Sequence, residues 1–157
     1  MEEARVFHRV CCHSFAKRKH VFIPSYSSFL ECANISYDDV LLLSDLGVLN
    51  NNTGLQLNLS FTNAIDILAN NECLVLSARS KVEGKQNYSV SVYGFTALGS
   101  ELRSTLQFEV QDQDVFVLKD CMAEDEQNKD MYFGVHRIRS TKGDKIEFEA
   151  EETVGVS

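Results

Sequence analysis

The 157-residue sequence is poor in the features that mark special classes of protein. It has no tryptophan, a single proline and no apolar run approaching 18 residues, which excludes a proline-rich linker and a membrane-spanning helix. Charged residues interrupt the first ten positions, where a secretory signal would be apolar. The net charge of −8 disfavours non-specific attraction to nucleic-acid phosphates and to anionic membranes. We therefore expect a cytoplasmic protein without membrane partners.

Five cysteines are present, and their pattern does not resemble a disulfide framework. The number is odd, two are adjacent and the others are far apart: Cys11, Cys12, Cys32, Cys73 and Cys121. Buried thiols in a reducing compartment are the expected state. A chain of this length buries roughly 68–70% of its unfolded surface, so it can fold as one domain, residues 1–157, without a disulfide or metal.

Motifs of known catalytic or cofactor chemistry are also missing. The sequence has no P-loop, GxGxxG, GxSxG or HExxH pattern. On a helix His8 shares a face with Cys11 and Cys12, whereas His13 points elsewhere, so we expect core cysteines and surface histidines in place of a zinc site. Cys12 and His13 are sequence neighbours that face different directions, which disfavours an activated thiolate. The sequence predicts no enzyme activity, no metal and no cofactor.

Alternation between helical and strand-like periodicity predicts an α+β fold. Residues 3–15 carry apolar side chains at helical spacing and predict an N-terminal helix. Ser36 is placed to cap a helix that ends at Gly47, and Thr96 to cap another. Between these two helices, residues 55–61 and 88–92 alternate as half-buried strands do.

The C-terminal third predicts a helix and a β-hairpin. Asp114 is placed to cap the helix, and the acidic residues 123–130 predict a solvated connection that is disordered between Glu124 and Lys129. Two strands follow and are joined by a TKGD turn. The fold class that results is α+β, with a winged-helix-like core at about 26–107, an N-terminal helix, and a C-terminal helix plus β-hairpin that form a lobe at about 112–152.

Four segments carry a resemblance to a known family: VFHRVCCHSF, the FIP piece, ISYDDVLLLSDLGVLN and YGFTALGSEL. In this order they resemble the C-terminal, winged-helix-like region of an uncharacterised bacterial domain-of-unknown-function family. Members are often found in prophage-like regions, and some relatives are linked to phage defence. The resemblance covers most of residues 4–108. It implies a bacterial accessory or defence context and an excised C-terminal domain or a short member, but no particular activity.

The helix that a winged-helix protein would place in the major groove is acidic here. It carries Asp38, Asp39 and Asp45 and no lysine or arginine, so the phosphate backbone would repel it. We therefore expect a non-enzymatic protein-interaction or regulatory module whose partner is another protein or another domain of a longer chain. Four tyrosines are candidate interface anchors: Tyr26, Tyr37, Tyr93 and Tyr132.

The alternative is a nucleic-acid-binding module that uses two basic segments and turns the acidic helix away. The wing loop would contribute Arg79, Lys81 and Lys85, and the C-terminal hairpin would contribute Arg137, Arg139 and Lys142. The same residues suit a solvated hairpin tip and a charged sheet edge that prevents strand-to-strand aggregation. Both interpretations stay open at this point.

Overall fold

The computed structural model describes residues 2–17, 20–58, 65–69, 74–82, 87–142 and 145–152, with the backbone alone described for 52–58, 65–69, 138–142 and 145–152. This part contains five α-helices: α1 Glu2–Cys12, α2 Ser27–Ala33, α3 Tyr37–Asp45, α4 Ala97–Thr105 and α5 Asp112–Glu124. The strands are β1 Phe15–Lys17, β2 His20–Pro24, β3 Leu49–Asn58, β4 Ile65–Ala69, β5 Leu74–Ser80, β6 Asn87–Phe95, β7 Met131–Lys142 and β8 Lys145–Glu152. The predicted α+β class is confirmed.

The strands form one antiparallel sheet in the order β3-β6-β2-β1-β4-β5-β7-β8. Its two halves meet where Ala16 of β1 pairs with Ala69 of β4. The hairpin β4–β5 is inserted between β3 and β6 in sequence, and β5 pairs with β7 from Leu74↔Arg137 to Ser80↔Met131. The predicted lobe at 112–152 is thus hydrogen-bonded to this inserted hairpin.

Helices and sheet share one apolar core. Residues of α1, α3 and α5 with no more than 1% exposure pack with equally buried strand residues: Val6, Val10, Leu43, Leu118, Met122, Phe22, Leu76, Tyr88 and Val135. In β6 the valines at 90 and 92 are buried and Ser91 is exposed, which is the alternation predicted for a half-buried strand. The strand β6 lies between β3 and β2, an order compatible with a winged-helix-like unit; that description and its boundaries stay predictions.

The ends of α3 follow the local sequence signals. Ser36 accepts a hydrogen bond from the backbone of Asp39, whose carboxylate accepts one from the backbone of Ser36. At the other end Gly47 has a φ of +78°, and Val48 N–H donates to the Leu43 carbonyl at 3.0 Å. Glycine adopts this left-handed conformation without a steric penalty, so the predicted cap and stop are both confirmed.

Two expectations for the C-terminal third are wrong. Asp114 does not cap α5, because the helix begins at Asp112 and Asp114 lies inside its first turn, 5% exposed. Its carboxylate bonds His13 instead. The acidic connection is also ordered: a 3-10 helix spans Glu126–Asn128, and Asn128 is 1% exposed. Long-range hydrogen bonds hold both side chains, and no local pattern signals them.

Candidate functional site

The first turn of α4 is fixed against the corner between α3 and β3. Thr96 N–H donates to the Val48 carbonyl at 3.1 Å, and Thr96 Oγ1 donates to the Gly47 carbonyl at 2.6 Å. The same hydroxyl accepts from Gly99 N–H at 3.0 Å, which confirms Thr96 as the predicted cap. A Cβ at Gly99 would overlap the Val48 carbonyl oxygen. Backbone contact therefore sets the position of α4.

An apolar cleft of about 430 Å³ lies where α1, α3 and α4 meet. We call it the leucine groove, and its lining consists of Glu3, Ala4, Phe7, Leu43, Leu46, Val48, Leu102, Thr105 and Leu106. Leu46, Leu102 and Leu106 are 48%, 40% and 38% exposed. A single exposed leucine is ordinary on a protein surface, but three that line one cleft form the kind of patch that marks an interaction site.

The exposed leucines of α4 follow from its sequence. Leu98, Leu102 and Leu106 are spaced by four residues, so they form one apolar stripe on the helix. Such a stripe usually faces the core, yet the buried residue of α4 is Gly99. The close approach at Gly99 turns the stripe outward, and two of its three leucines then line the groove.

The surroundings of the leucine groove are acidic. Glu3 lines it, and the exposed residues Asp45 and Glu101 directly precede two of its leucines. Arg103 of α4 is turned away, because its Nε donates to Ser14 Oγ at 2.8 Å. Arg5 of α1 lines a different cleft.

That second cleft, of about 720 Å³, runs along α1 and is lined by Ala4, Arg5, His8, Arg9, Cys12, His13 and Gln111. The His8 Nε2 lies 3.2 Å from the Gln107 carbonyl oxygen, which can only accept, so a hydrogen bond at this contact needs the tautomer with its proton on Nε2. The Nδ1 atom is then free to accept from the Cys12 thiol, at an Sγ–Nδ1 distance of 3.8 Å. The helical spacing predicted this shared face.

The cysteines of α1 are held in their protonated form. Burial raises the pKa of the Cys12 thiol, and the negative charges of Asp114 and Glu109 act in the same direction. Burial raises the pKa of Cys11 to about 12. Since the thiolate is the nucleophile, neither thiol is activated for attack at neutral pH. The four described cysteines are free thiols: Cys11 and Cys121 are buried, Cys12 is half-buried and Cys32 is exposed.

His13 and Asp114 form a contact that the sequence does not reveal. The His13 Nδ1 lies 2.7 Å from the Asp114 Oδ2, and the two side chains are 16% and 8% exposed. The expectation of a surface histidine is therefore wrong at position 13, because this side chain ties the end of α1 to α5. Among the residues that the structure describes, no three His, Cys, Asp or Glu side chains converge on a metal position.

The candidate nucleic-acid residues occupy two separate places. Arg79 and Lys81 are exposed at the end of β5, and the Arg79 guanidinium lies 4.8 Å from the centre of the Tyr132 ring. Arg137 is exposed beside Leu74, at the opposite end of β5. Arg79 lies five residues along the strand from Leu74, a distance of about 17 Å.

The remaining basic candidates do not join the two groups. Arg139 and Lys142 follow Arg137 along β7 and lead away from Arg79; only their backbone is described. Lys85 lies outside the described residues. In the described part, the strand register thus does not bring the wing residues and the hairpin residues to one surface.

The predicted tyrosine anchors differ in role. The Tyr26 hydroxyl donates to Asp125 Oδ2 at 2.8 Å and accepts from Ser91 N–H at 3.2 Å, and burial raises its pKa. This side chain ties β6 to the end of α5 and is not free to anchor a partner. Tyr37 and Tyr132 are 59% and 41% exposed, and Tyr93 is half-buried.

Comparison with protein-family models, with curated proteins and with solved structures finds no match to this chain. The resemblance to the bacterial winged-helix-like family therefore stays a prediction. In the described part of the chain, none of the helices has the length and apolar character needed to cross a membrane.

Proposed function

We propose that this chain is a non-enzymatic protein-interaction module and that the leucine groove is its docking surface. The observation that carries the proposal is the set of three exposed leucines, Leu46, Leu102 and Leu106, which line one cleft beside α4, a helix that backbone contact fixes against the end of α3. A preformed apolar cleft loses little conformational entropy when a partner binds. The cytoplasmic, bacterial accessory or defence-like setting belongs to this proposal and depends on the resemblance described above.

The exposed area on these leucines is enough to favour binding. Full burial of a leucine side chain is worth about 1.5–3 kcal/mol, and each of the three leucines still exposes 38–48% of its surface. A partner that covers them gains on the order of 1 kcal/mol from each one. Together with Phe7 and Val48 beneath them, they provide the apolar centre that protein interfaces place inside a polar rim.

Charge favours a protein partner over nucleic acid. Asp38 and Asp45 are exposed on or beside α3, and Asp39 lies 3.5 Å from Arg9. Of the described basic residues of the alternative hypothesis, Arg79 and Arg137 lie at opposite ends of β5. A duplex carries one negative charge per roughly 1.7 Å, and the part of the surface that the structure describes offers it no continuous cationic track. The protonated thiols of α1 support the non-enzymatic part of the proposal.

The test compares two leucines of the same helix. Leu102 lines the groove, whereas Leu98 is one turn earlier, 49% exposed, and outside the lining. We expect quantitative affinity capture to enrich the same proteins with wild type and Leu98→Gln and to lose them with Leu102→Gln. Equal enrichment by all three would overturn the proposal. Micromolar binding of a 20-base-pair duplex with steep salt dependence would favour the alternative.

A further inference from the structure

We infer that the occupant of the leucine groove is a basic amphipathic helix of another protein, an inference that rests on the proposed function. The first argument is shape. The groove lies among three helices, α1, α3 and α4. Its exposed leucines lie at the C-cap of α3, in the last turn of α4 and at the C-cap of α4. A helix that lays one apolar face into such a groove contacts it through anchors three and four residues apart.

The second argument is charge. Glu3 is part of the lining, and Asp45 and Glu101 are the exposed neighbours of Leu46 and Leu102. At helical spacing Glu101 flanks the apolar stripe of α4. No lysine or arginine is among the described residues that line the groove. An occupant with lysine or arginine beside its apolar face would be attracted to this rim and correctly oriented by it.

The same charges exclude a second copy of the chain as the favoured occupant. A two-fold contact would place the leucine groove of one copy on that of the other. Glu3, Asp45 and Glu101 of both copies would then surround one apolar centre. Like charges that face each other across an interface oppose association, and the net charge of −8 on each copy adds to the repulsion.

The experiment uses two designed 18-residue helical peptides as probes, with identical leucine spacing and either lysine or glutamate flanking the leucines. Fluorescence anisotropy with the full chain should show the lysine peptide binding at least 10-fold more tightly than the glutamate peptide. Leu102→Gln should lower the affinity for the lysine peptide at least fivefold, and Leu98→Gln should lower it less than twofold. Leu106→Gln is a second groove variant should Leu102→Gln fail to fold, as judged by circular dichroism.

Two charge variants test the rim directly. Glu101→Lys and Glu126→Lys change the net charge by the same amount, but Glu126 is exposed in the 3-10 helix and outside the groove lining. We expect Glu101→Lys to lower the affinity for the lysine peptide at least threefold more than Glu126→Lys does. An equal effect of the two variants would show that net charge alone acts and would overturn the inference.

The remaining outcomes separate this inference from the proposed function. If wild type binds both peptides with equal affinity and Leu102→Gln binds neither, the inference of a basic occupant is overturned, but the groove is still a docking surface. If analytical ultracentrifugation shows that the wild-type chain is a dimer and that Leu102→Gln is a monomer, the inference is overturned in favour of a second copy as the occupant. Binding of neither peptide overturns the inference, and a capture experiment without any Leu102-dependent protein overturns the proposed function as well.

Discussion

Asn128 is a buried side chain whose polar atoms bond to the backbone of two other elements. Its Oδ1 accepts from Ser89 N–H at 2.8 Å, and its Nδ2 donates to the carbonyls of Ser89 at 2.7 Å and Met122 at 3.0 Å. The pair of bonds to Ser89 imitates the exchange between paired strand residues. This one side chain joins the 3-10 helix, β6 and α5.

Replacing Asn128 with alanine should lower the free energy of unfolding by about 2–4 kcal/mol, because three hydrogen bonds are lost and backbone groups remain buried without their partners. Urea denaturation followed by circular dichroism measures the change. The exposed neighbour Gln127→Ala is the control and should stay within about 0.5 kcal/mol of wild type. A loss below about 1 kcal/mol for Asn128→Ala would show that its bonds do not hold the 3-10 helix.

Because the Cys11 thiol is buried, we expect the protein to lose stability at alkaline pH. Burial raises its pKa from the ordinary 9.0 to about 12, so the folded state keeps the proton more tightly than the unfolded state does. The contribution of the Cys11 thiol to the free energy of unfolding is fully present below pH 9. It is lost as pH rises from 9 towards 12, by at most about 1.4 kcal/mol per pH unit. In urea denaturation under reducing conditions, the stability difference between wild type and Cys11→Ala should be constant from pH 7 to 8.5 and shrink above pH 9. Parallel curves up to pH 10.5 would contradict this.

Whether a side-chain hydrogen bond could be predicted from the sequence depends on how far apart its two residues are in the chain. The Ser36 cap and the Thr96 cap were predictable from sequence, because each bonds a backbone group three residues away. The pairing of His13 with Asp114 spans 101 positions, and no local pattern carries it. Asp114 shows the consequence: its type and position fit an N-cap, but a distant histidine binds its carboxylate.

At the scale of elements, the position of α4 depends on the absence of a side chain at Gly99. An added Cβ would meet the backbone oxygen and carbon of Val48, which cannot move without moving the start of β3. The same contact turns the leucine stripe of α4 outward. The helix itself was predicted from its cap and spacing, but its exposed face was not, because the packing at Gly99 depends on a carbonyl 51 positions earlier.

We expect Gly99→Ala to lower the free energy of unfolding by about 1–3 kcal/mol, although alanine is the better helix former, because overpacking outweighs the gain in helix propensity. The added methyl group should also displace α4 and so lower the affinity for the lysine peptide severalfold. Ser104→Ala, at an exposed site on the same helix, is the control and should leave both measurements nearly unchanged. A more stable Gly99→Ala protein would show that α4 can move without cost.

At the scale of the molecule, the two halves of the sheet share few strand hydrogen bonds but many other contacts. The strands meet at Ala16↔Ala69, while α5 packs on both α2 and β7. Side chains add further links, among them Tyr26 to Asp125 and His13 to Asp114. The sequence predicted most of these elements, but the strand order depends on pairings far apart in the chain.

These links predict that the chain unfolds as one cooperative unit. Far-ultraviolet circular dichroism reports the helices and strands, and tyrosine emission reports the five tyrosines, which include Tyr26 before α2, Tyr88 in β6 and Tyr132 in β7. Because the chain has no tryptophan, tyrosine emission is directly observable. The two urea transitions should coincide. Separate midpoints would show two independently folding lobes.

The insertion of β4 and β5 has a consequence for biosynthesis. Pro24 of β2 pairs with Val92 of β6, 68 positions later, and β3, which precedes the insertion, also pairs with this late partner. A ribosome that adds about 5–20 residues per second needs roughly 3–14 seconds to cover that distance. During this time one edge of β2 lacks its neighbour, and so does β3 once it has been synthesised. Unpaired strand edges favour aggregation, so we expect the nascent chain to be the stage at which this protein is most exposed to it.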